Sequence, residues 1–399
     1  MLFKDVIGQT EVKIHLREIV HHNRLSHALL FLGKEGAGAL PLAIAFANYI
    51  CLSSGRNGFP ELTENHDQTQ DPDSFMEAHP SYSKVKGMVH PDIHFSYPVI
   101  TKKPGQSPIS TDYIQEWREF ISLYPYGNAF DWLQFIGAEN KQGNITAQEC
   151  NDIIRKLNLK SFESEYKILL LWMPEYLGNE GNKLLKLIEE PPANTLFILV
   201  SENESLILQT ILSRTQLIKV PALENHEITQ ALISRAKVPS DQASRASSIS
   251  EGNYREALQI IQHAEEDWQS LLREWLNAIM KNGPVAQVKW VEEISKLGRE
   301  RQKQFLRYFN HLLEQSIRLR TMGDHYNLPG NEHLMPENEK DFAAKLNNRT
   351  GITEQKAIIE ELDKASYYIE RNANAKMLFL ALTIKLYHII ADKSLILVA

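Results

Sequence analysis

Three glycines, Gly33, Gly36 and Gly38, stand in the run FLGKEGAGALPLAIAFA from Phe31 to Ala47, at a spacing close to that of a phosphate-binding loop. Such a loop reads G-x-x-x-x-G-K-[ST]: backbone N–H groups cradle phosphates, the Lys neutralises them, and the hydroxyl holds Mg²⁺. Here Ala39 occupies the Lys position and Leu40 the Ser/Thr position. An ATPase of this kind also needs a second strand ending in Asp-Glu, the Asp to anchor Mg²⁺ and the Glu to polarise the attacking water. The matching strand, Ile168 to Leu171, runs instead into Trp172 and Met173, and the nearest acid, Glu175, falls past the strand tip. Without those four side chains, metal-assisted phosphoryl transfer has no electrostatic support. For the first stretch alone, a plain glycine turn is an equal alternative.

The elements that would carry these residues can be read from the pattern. HALLFLG (His27 to Gly33) is a short apolar strand, and LPLAIAFANYI after the glycines suits a buried helix with Pro41 in its first turn. YKILLLW (Tyr166 to Trp172) and TLFILVS (Thr195 to Ser201) are apolar throughout, as strands inside a parallel sheet are, and LIKVPA adds a shorter one. GNKLLKLIEEPP reads as a helix stopped by Pro191 and Pro192, with helical pattern also at TDYIQEWREFISLY and TAQECNDIIRKLNLK. Strands alternating with helices predict a three-layer α/β domain. From Ser53 to about Gly105 the composition turns to Ser, Asn, Asp, His and Pro, and reads as a long surface insertion. After about Ala222 the pattern is helical only, and Trp268, Trp275, Trp290, Tyr308 and Phe309 read as helix core.

Bulk properties narrow the function classes. With 399 residues, two or three domains are expected, and a hydrophobic fraction of 43% supplies a sizeable core. The formal net charge of −7 excludes a chain that is basic overall, so any DNA contact is local or shared with partners. Cys51 and Cys150 cannot build a disulfide framework, which points to a reduced, cytoplasmic setting. MLFKDVIGQTEVK has no apolar core of a signal peptide, and the apolar run near Leu378 is broken by Lys385, so neither export nor a membrane span is expected.

The run LLKLIEEPPANTLFILVSENESLILQTILSRTQ, Leu184 to Gln216, resembles the bacterial clamp-loader family of the AAA+ superfamily. There a helix ending in Leu-Glu-Glu-Pro-Pro precedes a Thr-x-Phe-Ile-Leu strand and a Ser-Arg-Cys motif. HALLFLG, the His-Pro-Asp at His90 to Asp92, and IERNANAKMLFLALTIKL with Asn372 and Asn374 are similar to that family as well. A degenerate glycine loop beside a retained Ser-Arg-Cys-like motif resembles the delta-prime class of subunit. The resemblance implies an AAA+ α/β domain at 1–220, a helical lid at 221–265 and a helical collar at 266–399.

It further implies that Arg214, between Ser213 and Thr215, is an arginine finger reaching the ATP of a neighbouring subunit. A planar guanidinium fork suits two γ-phosphate oxygens. Thr215 stands where the family has Cys, which leaves the Arg intact and alters local packing. The alternative for a lone Arg is an ordinary surface ion pair. Ser201 and Arg255 fall near the sensor positions, and a surface Arg on a lid helix is an equal reading of the latter. Implied partners are delta and gamma/tau subunits in a pentamer and, through the complex, the sliding clamp and primed DNA. The family's four zinc cysteines are missing: only Cys51 lies nearby, and His66, His79, His90 and His94 lack ligand spacing, so no zinc is expected. The glycine loop and its helix dipole could still bind a phosphate weakly. Two competing readings are a weakly active ATPase of the gamma/tau type and an AAA+-like scaffold outside replication.

Overall fold

The structure, a computed structural model, describes residues 1–53, 71–102, 105, 107–138, 143–262, 268–322, 337–371 and 373–391. The sequence readings of His66, of Asn372 and of the insertion at 54–70, 103 and 104 lie outside those residues. The chain divides into two compact units, one of Met1–Ala243 with Ser250–Leu258, the other of Ser244–Ile249 with Gln259–Ala399.

The first unit is built on five parallel strands: β1 (Ala28–Gly33), β2 (Ile93–Ser96), β3 (Lys167–Trp172), β4 (Thr195–Ser201) and β5 (Gln216–Val220), in the order β2-β3-β4-β1-β5. Central strands are apolar on both faces because helices cover both. Leu29 and Phe31 of β1 pack with Ile168, Leu170, Ile198 and the helix Ala39–Ser53, whereas Leu30 packs with Leu169, Leu199, Cys150 and Ile153. The expected three-layer α/β domain is this unit. The chain leaving β1 runs to β2 at the sheet edge, and the chain leaving β4 passes over β1 to β5. The C-terminal ends of β1 and β4 therefore flank the crevice where such sheets take their ligands.

Two readings are corrected. The stretch 53–105 is not only an insertion: it contains the helices Pro72–Ala78 and Tyr82–Lys86 and the edge strand β2, which pairs with β3 from Ile93↔Ile168 to Ser96↔Leu171. IHFS gave no strand signal because an edge strand of four residues has no long apolar run. GNKLLKLIEEPP is not one helix either. Pro174–Leu184 is 3₁₀ in character and kinked at Gly178 (φ 49°), and only Leu185–Glu189 is α-helical before the prolines.

The second unit is helical, with long helices at Arg299–Met322, Ile352–Glu370 and Ala375–Ile390. Asn374 caps the last of these by accepting the Met377 N–H at 3.2 Å. Its core holds Trp275 stacked on Trp290 with ring centroids 4.5 Å apart, together with Phe305, Phe309 and Phe379. Trp268, Trp275, Trp290, Tyr308 and Phe309 all belong to or pack against this core. No helix among the described residues is long and apolar enough to cross a membrane.

His311, buried on the helix Arg299–Met322, has its pKa pushed from 6.5 to about 4 by desolvation and then by Arg318 and Arg245. His94 on β2 is lowered to about 4 by desolvation and then by Lys156. Unfolded histidines take up protons near 6.5 and these folded ones only near 4, so stability is intact above 6.5 and is lost as pH falls through that window. A thermal melt series should show Tm falling steadily from pH 6.5 towards 4, with a shallower slope in His311→Leu. A Tm that holds level across that window would contradict the assignment.

Candidate functional site: the closed glycine loop and the exposed arginine

The glycine loop lies at the C-terminal end of β1, and each glycine is approached closely by another part of the same unit. A Cβ on Gly36 (φ +71°) would come within 1.8 Å of Asn253 Oδ1, and one on Gly38 (φ +93°) within 3.0 Å of the Tyr126 ring. Only glycine tolerates both the left-handed backbone and the crowding. Gln9 donates through Nε2 to the Ala37 carbonyl oxygen (3.1 Å) and to that of Pro221 (2.7 Å). The Tyr254 N–H donates to the Gly36 carbonyl oxygen (3.2 Å), and the Tyr254 ring meets Tyr126 edge to face at 5.0 Å.

Arg255 completes the closure. Its guanidinium binds both oxygens of Asp131, with Nη2 to Oδ1 at 2.6 Å and Nε to Oδ2, and its Nη1 reaches Glu35 Oε1 of the loop itself at 2.9 Å. Arg255 is 6% exposed, so these are charge-assisted bonds in a largely dry setting. Asn253 Nδ2 adds a bond to the same Glu35 oxygen at 3.3 Å. A guanidinium fork fits the side-on carboxylate as an ammonium could not. What remains before the loop, between Gly38, Leu40, Tyr126 and Trp172, offers about 20 Å³ to the centre of a water-sized sphere. That is room on the scale of one or two water molecules.

Ala39 and Leu40 are buried in the first turn of the helix Ala39–Ser53. Trp172 ends β3 inside an aromatic cluster, 5.2 Å from Trp117, which stacks on Tyr97 and meets Trp132 edge-on. Met173 adopts a left-handed φ of 58° and turns the chain back, its N–H donating to the Val200 carbonyl oxygen at 2.8 Å. This turn brings Glu175 to the tip of β4, where its Oε1 accepts from Ser201 Oγ (2.5 Å) and the N–H groups of Glu202 and Asn203 (2.9 and 3.0 Å). Ser201 is therefore tied to an internal carboxylate, and Glu175 does not line the cleft.

Arg214 lies elsewhere on the unit, just after the short helix Gln209–Leu212, with its side chain 33% exposed. Nε and Nη2 rest on Glu189 Oε1, and Nη1 donates to the Thr210 carbonyl oxygen (2.7 Å) and to Ser213 Oγ (3.1 Å). Thr215 Oγ1 donates to the Leu212 carbonyl oxygen at 3.1 Å, so its hydroxyl closes the preceding turn. The structure thus gathers Gly33, Gly36, Gly38, Ala39, Leu40, Trp172 and Ser201 around one crevice, sets Arg255 against Glu35 of its loop, and leaves Ser213, Arg214 and Thr215 outside the lining. Sequence reasoning did not reach Glu35, Asp131, Asn253 or Tyr126, because contacts between residues more than a hundred positions apart leave no local pattern.

Near the end of the helix Ala39–Ser53, Cys51 Sγ lies 3.4 Å from His90 Nδ1, and His90 Nε2 lies 3.6 Å from a Glu163 oxygen. The triplet has the order of a nucleophile, base and acid. Burial opposes that chemistry: it pushes the Cys51 thiol up to about 12 and lowers His90, so neither charged form is favoured. Among the described residues no group of three or more His, Cys, Asp or Glu could hold a metal ion.

Arg255→Ala would strand two partly buried carboxylates, and a stability loss of roughly 2–4 kcal/mol is expected by thermal or urea unfolding. Arg255→Lys should recover only part of it, because one ammonium cannot span both partners. Gly36→Ala should destabilise as well, through Asn253. If these variants melted with the parent, the ion pair would not be what closes the loop.

The chain is similar in sequence to several known proteins. Residues 128–224 match a family described as DNA polymerase III, delta subunit. That segment includes Asp131, Trp172, Glu189 and Arg214 but not the glycine loop or Arg255. The chain is 24% identical to DNA polymerase III subunit delta' of Bacillus subtilis over 232 residues, which is 58% of this chain and 53% of that one. It is 21% identical to subunit gamma of Buchnera aphidicola over 268 residues, 66% of this chain and 58% of that one. The chain thus spans little more than half the length of these relatives. A gamma subunit-related structure from Thermotoga maritima aligns over 94% of this chain and 98% of its own at 13% identity and a TM-score of 0.33. The Bacillus subtilis clamp loader delta protein aligns over 77% and 98% at 14% identity and a TM-score of 0.25. The chain is similar to clamp-loader subunits of DNA polymerase III, and its parallel sheet carries a glycine loop at the C-terminal end of β1.

Proposed function

We propose that this chain is a delta-prime-like, non-catalytic subunit of a replication clamp loader. In this reading residues 1–220 form the AAA+ domain, 221–265 the lid and 266–399 the collar that joins neighbouring subunits. The observation that carries the reading is the contrast between the two arginines. Arg255, the lid cation turned towards the glycine loop, is matched internally by Asp131 and Glu35, whereas Arg214 stands at the surface on a motif like the family's finger. A chain without the loop Lys and hydroxyl, the metal Asp and the catalytic Glu offers no means of orienting Mg²⁺ or water for its own phosphoryl transfer.

Its contribution would be made in trans. Arg214 would reach the γ-phosphate of ATP held by an adjacent gamma/tau-type subunit and spread the charge that develops as the bond breaks. That hydrolysis would then accompany loading of the sliding clamp onto primed DNA, with a delta subunit completing the ring. The similarity to gamma subunits favours one competitor, a chain that hydrolyses ATP itself. Turnover of about 1 s⁻¹ by the isolated chain, at the low end of ordinary enzyme rates, would support that competitor.

In a reconstituted complex, Arg214→Ala should leave assembly on size exclusion intact and lower the clamp-stimulated ATPase rate by about tenfold or more. An assembled complex with an unchanged rate would overturn the finger assignment. A chain that failed to enter the complex at all would favour a scaffold outside replication.

A further inference from the structure

We propose that Glu189 is a positioning residue for Arg214, fixing the orientation in which the guanidinium is offered to a phosphate. The inference rests on the finger reading above and adds to it the residue that aims the side chain. A guanidinium has five N–H donors. In this structure one on Nε and one on Nη2 face Glu189, and two on Nη1 face the Thr210 carbonyl and Ser213 Oγ. The Nε edge is thereby held by a carboxylate, and the second N–H of Nη2 takes none of these partners. Giving up only the longest of these bonds, Nη1 to Ser213 Oγ at 3.1 Å, would present one N–H on each terminal nitrogen. That is the parallel fork with which arginine takes two phosphate oxygens.

Both partners are mounted on the sheet. Ile188, the residue before Glu189, and Ile211, three before Arg214, are each about 1% exposed and share the core cluster that includes Leu171 and Leu199. Pro191 and Pro192 end the helix directly after Glu189 and Glu190, so the carboxylate sits at a fixed terminus. Side chains at 33% and 42% exposure form a pair of little worth to folding. Orientation is the effect such a pair can exert, since a misplaced charge of about 1 Å near a reacting group costs roughly a hundredfold in rate.

The test uses the assembled complex with its clamp and primed DNA. Glu189→Ala should lower the ATPase kcat by about tenfold with KM within about twofold, and Glu189→Gln, which keeps an acceptor oxygen, should recover most of the rate. The isolated Glu189→Ala chain should melt within about 2 °C of the parent, as expected for an exposed pair. The decisive comparison is the double variant: Glu189→Ala added to Arg214→Ala should change nothing further, because Glu189 acts only through Arg214. An additive loss, a normal kcat in Glu189→Ala while Arg214→Ala is slow, or an increased kcat would each overturn the proposal. A normal rate in Arg214→Ala would instead overturn the finger reading on which it stands.

Discussion

The ion pair of Arg255 with Asp131 and Glu35 is the interaction on which the site depends. It ties three separate segments together: the glycine loop after β1, the capped helix Ala129–Phe135 and the start of the helix Tyr254–Gln262. In a working nucleotide site, phosphate charge would be the natural partner of a cation turned towards such a loop. Here two carboxylates supply that charge from within the chain, so closure needs no ligand. Asn253, Tyr254, Tyr126 and Gln9 pack the same loop, and the glycines at 36 and 38 are what allow them to come so close.

The changes at the two motif positions follow the same physics. The helix after the loop buries Ala39 and Leu40 in its first turn, and β3 ends in a tryptophan that joins the Tyr97–Trp117–Trp132 cluster. Glu175 Oε1 instead accepts from Ser201 Oγ and from the first two N–H groups beyond β4. Apolar packing and internal hydrogen bonds thus fill the surroundings of the loop. Arg214 escapes this closure because it sits on a separate, exposed turn.

The central strands and the glycine loop were legible because each depends on a local signal: a continuous apolar run, or glycines at set spacing. The edge strand at Ile93–Ser96 was not, since four residues that include a His and a Ser form no continuous apolar run, and the 3₁₀ stretch before Leu185 was read as helix because its apolar spacing is nearly helical. The residues of interest could be named, but not what they touch. Nothing near Arg255 in sequence points to Asp131 or Glu35, and Glu175 looked displaced from the strand tip until the left-handed turn at Met173 brought it to β4. Sequence reports what chemistry is missing, and the fold reports what has taken its place.

The central claim is that the chain's own side chains close the glycine loop to nucleotide. Equilibrium binding of radiolabelled ATPγS with Mg²⁺ to the isolated chain, at concentrations up to about 1 mM, where binding would be worth only about 4 kcal/mol, tests it most directly. The account predicts no saturable binding in that range. Saturable binding at micromolar concentration, abolished by altering Gly36 or Gly38, would contradict it.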